Sequence, residues 1–383
     1  MADMFDILRA SLFTGEEVPV TEWEPIFEEM KQQTVAALPG EWLPSHIDAP
    51  SWRLFCMSSQ AQWVRVLHAQ DELLQLLEAN DIPCVILKGA AAAMAYPRPT
   101  LRTMGDVDFL VKRPDFEKAA ALLEENGYVL THEKDLVSHH YGYAKNHIHF
   151  ELHRRIPLVS ETDETWMSRF EEGIDAREWH EIEGYRFPTL PVTLNGLVLM
   201  LHIDQHLRSG LGLRQIIDWM MYAHTLPEDK WKELQPLLKE AGVDKLARTT
   251  TVLCQKYLGL RKMVDEDDSL PVDELLAYIL EKGNFGRKAG LDGRISGFSL
   301  SVAAEGGFLK RLQAGGLSRW KAARKNKVLR PFAWIYQSFR ILGELWKNKK
   351  NPMDVWKLKK HGEKQRELIE ALGLQMDRTI PHL

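Results

Sequence analysis

Gly105-Asp106-Val107-Asp108-Phe109-Leu110-Val111 is the stretch on which the reading of the fold turns. Apolar and acidic residues alternate along it. Side chains of a strand point to opposite faces with a period of two. Val107, Phe109 and Val111 are therefore expected to enter a core, while Asp106 and Asp108 share the other face. Two carboxylates on one face repel each other, and a divalent cation between them removes the repulsion. Oxygen-rich sites of this kind suit Mg²⁺ or Mn²⁺.

Upstream, Ile82-Pro83-Cys84-Val85-Ile86-Leu87 is a short apolar run that fits a buried strand, and Lys88-Gly89 ends it. A glycine there lets the backbone approach a phosphate closely, with Lys88 as a positive partner. Arg102 lies four residues before Asp106 in a proline-containing loop, within reach of the same pocket. Downstream, Pro114 opens a helix over residues 115–126 with Phe116, Ala119, Ala120 and Leu123 on its apolar side. Gly127 caps it, and residues 128–131 start a further strand.

Residues 147–153 repeat the alternation. Ile148, Phe150 and Leu152 share one face, and His147, His149, Glu151 and His153 share the other. Beside the aspartate strand, this segment supplies a third carboxylate. Three carboxylates are the donor set of two-metal phosphoryl or nucleotidyl transfer. The same histidines with Glu151 also admit a zinc reading, although the chain has no HExxH motif to go with it.

Taken together, Leu87-Lys88-Gly89, Tyr96-Pro97, Arg102, the Gly105–Val111 stretch and Glu151-Leu152-His153 resemble a bacterial nucleotidyltransferase family, functionally uncharacterised, of the DNA polymerase β superfold. The resemblance spans about residues 50–225 and includes His202, His206, Arg214 and Asp218. It implies an α+β fold, with a polymerase β-like mixed-sheet core flanked by N- and C-terminal helical domains. It also implies that Asp106, Asp108 and Glu151 bind metal. Lys88, Gly89, Arg102, His153, Arg214 and Asp218 would then line the nucleotide site. The reaction expected transfers NMP from an NTP, ATP among them, to an acceptor hydroxyl or phosphate; the resemblance names no acceptor, and a small molecule or peptide is the favoured one. Ala90 follows Gly89 where the wider superfold carries a serine. A toxin-like enzyme acting on RNA or protein, and an inactive nucleotide- or partner-binding scaffold, are the competing readings.

The flanks read as helical. Trp63, Leu67, Leu74 and Leu77 recur at helical spacing before the break at Asn80-Asp81. Residues 194–207, 213–224 and 231–241 are three further predicted helices. His202 and His206 are four apart, as are Arg214 and Asp218. Residues four apart share a helix face, so plain helix-pairing contacts and an Arg214–Asp218 ion pair stand beside the site reading. The expected divisions are a helical region at 1–80, the catalytic core at 81–190, a helical domain at 191–282 and a basic, aromatic-rich region at 283–383.

Bulk properties narrow the classes. The 383 residues, 45% hydrophobic and 27% charged, fit a multidomain globular chain and not a disordered one. Three scattered cysteines, Cys56, Cys84 and Cys254, exclude a disulfide framework and a cysteine zinc site. No run of about 18 apolar residues predicts a transmembrane segment. The acidic N-terminus lacks a signal-peptide pattern, so a cytoplasmic location is expected. The net charge is −5, yet residues 307–360 hold fifteen Lys or Arg against two acids, about +13. Trp320, Trp334, Tyr336, Trp346 and Trp356 interleave with those cations. The segment is a candidate contact for RNA or an anionic membrane surface, or a solvated basic face.

Overall fold

A computed structural model describes residues 3–16, 18–40, 48–131, 140–157, 159, 163–284, 312–313, 316–317, 320, 322–323, 326, 328–347 and 354–375. The chain is α+β, and its centre is a five-stranded mixed sheet. The strands are β1 (Cys84–Leu87), β2 (Asp106–Val111), β3 (Val129–Leu130), β4 (His140–Lys145) and β5 (Ile148–His153), in the order β1-β2-β5-β4-β3. β2 runs parallel to β5, and the remaining pairs are antiparallel.

The two-residue period of β2 and β5 sorts their side chains as the sequence predicts. Val107, Phe109, Val111, Ile148, Phe150 and Leu152 are buried in one apolar cluster. That cluster is closed by α5 (Phe116–Glu125), through Phe116, Ala119, Ala120 and Leu123, and by the C-terminal half of α3 (Pro50–Glu78). Fully burying one such side chain contributes about 1.5–3 kcal/mol, so the set fixes the register firmly. A one-residue slip would turn every apolar side chain outward.

The opposite sheet face, carrying Val85, Leu87 and Leu110, joins a second and larger core. That core is helical. It contains α7 (Val192–Ser209), α8 (Leu213–Thr225), α9 (Glu228–Glu240), α10 (Asp244–Leu253) and α11 (Val272–Lys282). The N-terminal helices α1 (Met4–Arg9) and α2 (Trp23–Gln32) and the start of α3 pack into the same core through Leu8, Met30 and Trp52. Gly196 lets α7 and α8 approach closely, since a Cβ there would stand 2.2 Å from the Tyr222 hydroxyl oxygen. That hydroxyl donates to the Val192 carbonyl at 3.0 Å. Asp106 and Asp108, on the same face as Leu110, thus lie at the border between sheet and helical body.

Some elements go beyond the sequence expectations. β4 and the hairpin β6 (Glu178–Ile182) and β7 (Tyr185–Thr189) are additional strands. α6 (Glu164–Asp175) is additional too, and Arg113, just after β2, ties to it through Glu171 at 2.9 Å and Glu164 at 3.1 Å. Toward the C-terminus, α12 (Ala333–Lys347) and α13 (Asp354–Ala371) follow. Much of the basic stretch 307–327 lies outside the described residues.

Candidate nucleotidyl-transfer site

The sheet register brings the acidic residues together. In the parallel pair, Asp108 stands directly opposite Glu151, and Asp106 opposite His149. On the other side of β2, Leu87 pairs with Asp108 in the antiparallel ladder. The residue after Leu87 is Lys88, and its ammonium lies 2.7 Å from Asp108 Oδ1. Lys88 takes a positive φ of 52° and Gly89 follows at 35°. A lysine in that region carries strain of about 1–3 kcal/mol, which the surrounding structure must hold. The turn opens α4 (Gly89–Ala93) and lifts the lysine over the aspartate.

His153, fully buried, sits behind both acids. Its Nε2 is 3.0 Å from Asp108 Oδ1 and 3.3 Å from Glu151 Oε2. Asp108, Glu151 and His153 offer ligand atoms that all lie within 4.8 Å of one another. Two carboxylates and an imidazole are a donor set that fits a divalent ion, with Asp106 outside this close group. His147 and His149 do not join it. His147 sits in the β4–β5 turn with φ 63°, and His149 points to solvent. The zinc reading from a row of strand histidines therefore loses two of its three imidazoles.

Charge bears out the crowding. Burial, then the charges of Asp108 and Glu151, push the Asp106 carboxyl up to about 6. Burial would also raise Glu151, but the His153 hydrogen bond and the charges of His140 and Lys88 win and hold it well below the usual carboxylate range. Burial lowers His153, and its bonds to Asp108 and Glu151 more than reverse this, so it is raised. Burial opposes the Lys88 charge too, and the three carboxylates outweigh it.

The remaining predicted residues divide. Arg102, 5% exposed, makes a two-point clamp on Asp218, with Nε to Oδ1 and Nη2 to Oδ2 both at 2.7 Å. The Tyr96 hydroxyl donates to the same carboxylate at 2.7 Å. Asp218 thus serves the loop ahead of β2, and not an i,i+4 pair with Arg214 on its own helix. Arg214 reaches the Thr103 carbonyl at 3.5 Å, while its Nε has no hydrogen-bond partner among the described residues. Burial, then repulsion from Arg102, lowers its pKa. The His202 and His206 rings meet edge to face at 4.3 Å. Burial and the nearby Lys88 and Arg214 charges drop His206 to about 3, so it stays neutral at ordinary pH.

His140 was not singled out by the sequence. It pairs in register with His153 on β4, and its Nε2 lies 3.9 Å from Glu151 Oε1. The signal was the alternation of residues 140–145, weakened by Gly142 and by the lack of β-branched residues.

A family model described as uncharacterised nucleotidyltransferase matches residues 21–259. The chain belongs to this nucleotidyltransferase family. The matched span covers α2 through α10 and so contains every site residue described above. Among solved structures, the chain is similar to an antigenic nucleotidyltransferase-like protein from Paracoccidioides brasiliensis, at 13% identity and a TM-score of 0.31. That match covers 54% of this chain and 95% of the other. No curated protein matches it. No described helix is long and apolar enough to cross a membrane.

Proposed function

We propose that this nucleotidyltransferase moves a nucleoside monophosphate from an NTP to the hydroxyl or phosphate of an acceptor, releasing pyrophosphate. The observation that carries this reading is the side-by-side placement of Asp108 and Glu151 in the β2–β5 ladder, with the Lys88 ammonium at 2.7 Å from Asp108. Asp106, Asp108 and Glu151 would hold Mg²⁺ or Mn²⁺, which neutralises triphosphate charge and makes an acceptor hydroxyl more acidic.

The chain's own residues do the rest. Glu151, kept ionised by His153, accepts a hydrogen bond from the acceptor hydroxyl and takes its proton as the new P–O bond forms. His153 fixes both carboxylates in one orientation. Lys88 leaves Asp108 for the triphosphate, which Gly89 lets approach the backbone. Arg214, a half-buried cation whose Nε has no hydrogen-bond partner among the described residues, meets the same phosphates. Arg102 is already held by Asp218, so both act by fixing the β2 approach loop against α8. Positioning and charge neutralisation supply most of the rate in such chemistry.

Thermal denaturation with each NTP, with and without Mg²⁺, tests the reading. A metal-dependent stabilisation by NTP, lost in Asp108→Asn, is expected. Equal stabilisation of both proteins would overturn the assignment.

A further inference from the structure

Helix α8 begins without a cap of its own. Its first residue, Leu213, is fully buried, and Gly212 at the N-cap position has no side chain to accept a backbone N–H. A helix leaves its first four N–H groups without intrahelical partners, and a serine, threonine, aspartate or asparagine usually supplies an acceptor. No such side chain fits here. A Cβ at position 212 would stand 3.0 Å from the Asn284 Cβ and 3.2 Å from the Asn284 Cα and backbone nitrogen. Asn284 is itself held, its Oδ1 accepting from Gln215 Nε2 at 3.1 Å.

The acceptor comes from another helix. Gln33, the residue after α2 and fully buried, takes the Leu213 N–H on its Oε1 at 3.2 Å. The other end of the same amide is engaged too. Its Nε2 donates to Glu29 Oε1 at 3.0 Å and to the Ile279 carbonyl at 3.2 Å. A side-chain amide carries two N–H donors on one end and an acceptor on the other. With both donors used, Gln33 presents its oxygen to α8. It thereby ties α2, α8 and α11 together at the point where α8 starts.

The next residue is Arg214. A cation in the first turn of a helix opposes the helix dipole. Asp218, one turn further on, is taken by Arg102 and Tyr96. Arg214 Nη1 lies 3.5 Å from the carbonyl of Thr103, three residues before Asp106, and its Nε has no hydrogen-bond partner among the described residues. Helix stability does not explain an arginine at this place, whereas an anionic ligand does. A guanidinium contact is directional, because its donors form a planar fork. The first turn of α8 sets that direction, and Gln33 fixes where the turn begins.

We propose that Gln33 is a positioning residue for Arg214: by capping α8 from outside, it aims the guanidinium at the nucleotide's phosphates. The proposal rests on the nucleotidyl-transfer reading and on the phosphate contact given there to Arg214.

Isothermal titration of the full chain with Mg²⁺ and each of the four NTPs tests it, as a double-mutant cycle of Gln33→Met and Arg214→Ala. Methionine is close to glutamine in length and lacks the amide oxygen. Arg214→Ala should weaken binding by about tenfold or more, as for a lost charge-assisted contact. Gln33→Met should weaken it by about threefold or more in the unaltered background and leave the affinity of the Arg214→Ala protein unchanged. A bond that only stabilises the fold would lower affinity by the same factor in both backgrounds, and that result would overturn the proposal. So would undiminished binding by a folded Gln33→Met or by Arg214→Ala. If Gln33→Met does not fold, Gln33→Asn, one methylene shorter, takes its place in the cycle. Asp108→Asn, titrated alongside, separates the two claims. Binding lost there but intact in Gln33→Met sinks the positioning role alone. No binding of any NTP by the unaltered protein sinks the nucleotidyl-transfer reading and the positioning role with it.

Discussion

Asp108 and Glu151, 43 residues apart in sequence, are direct neighbours across the parallel β2–β5 pair, and His153 Nε2 touches both, at 3.0 and 3.3 Å. The acidic centre is thus fixed by sheet register and not by loops. Loss of one carboxylate charge should leave the strands in place. Asp108→Asn is nearly isosteric and is expected to keep the fold while lowering transfer by about 10³-fold or more, given the electrostatic share of such catalysis. Circular dichroism and a transfer assay on the same preparation check the two halves of that statement.

Asp106 makes a different prediction, in pH. Its carboxyl is raised from 3.8 to about 6 by burial and by its acidic neighbours. A raised acid contributes stability that is full below about 3.8 and is lost as pH rises through about 6. Asp106→Asn removes the repulsion, so the metal-free variant should be more stable than the parent at pH 8. The Asp106 carboxyl is surrounded by protein yet open to water on one side, so solvent screens much of the effect and the gain is about 1 kcal/mol. Near pH 4 the difference should vanish. Urea melts at the two pH values, without divalent ions, read this directly.

The clamp between Arg102 and Asp218 predicts a loss of stability. Asp218→Ala leaves a buried guanidinium without its counter-charge and the Tyr96 hydroxyl without its acceptor. The expected cost is about 3–5 kcal/mol. Tyr96→Phe removes one hydrogen bond to a charged group and should cost about 1.5–3 kcal/mol. Denaturant midpoints for the two variants give the order.

The α7–α8 contact is tested at Gly196. A methyl group there meets the Tyr222 hydroxyl, whose own hydrogen bond to Val192 would have to break or shift. Gly196→Ala should destabilise by about 1–3 kcal/mol through overpacking. The double variant with Tyr222→Phe, which removes the oxygen, should recover part of that loss.

Much of the site was legible in the sequence because strand alternation is local. The same-face placement of Asp106 with Asp108, and of Glu151 with His153, follows from a period of two and needs no tertiary information. The β2–β5 adjacency did not follow from periodicity, since pairing across 43 positions depends on topology. Arg102 and Asp218 show the limit more sharply. They are 116 residues apart, and either one alone looks like a phosphate ligand or a solvated charge. Their bond appears once α8 packs beside the loop ahead of β2. Alternation ran one residue pair too far at His147, which the β4–β5 turn takes off the strand, whereas His149 keeps the face of Glu151, opposite Asp106 and exposed. His140 was missed because β4, with Gly142 at its centre, has a weak strand pattern.

The central claim is nucleotidyl transfer itself. The most direct measurement incubates the pure protein with Mg²⁺ and each α-³²P-labelled NTP, with and without cell extract, beside an Asp106→Ala/Asp108→Ala control. Label on an extract component or on the protein, absent in the control, is the predicted result, and it exposes the acceptor's size class. Label that appears equally with the control, or no transfer from any NTP by a folded protein across extracts, would contradict it.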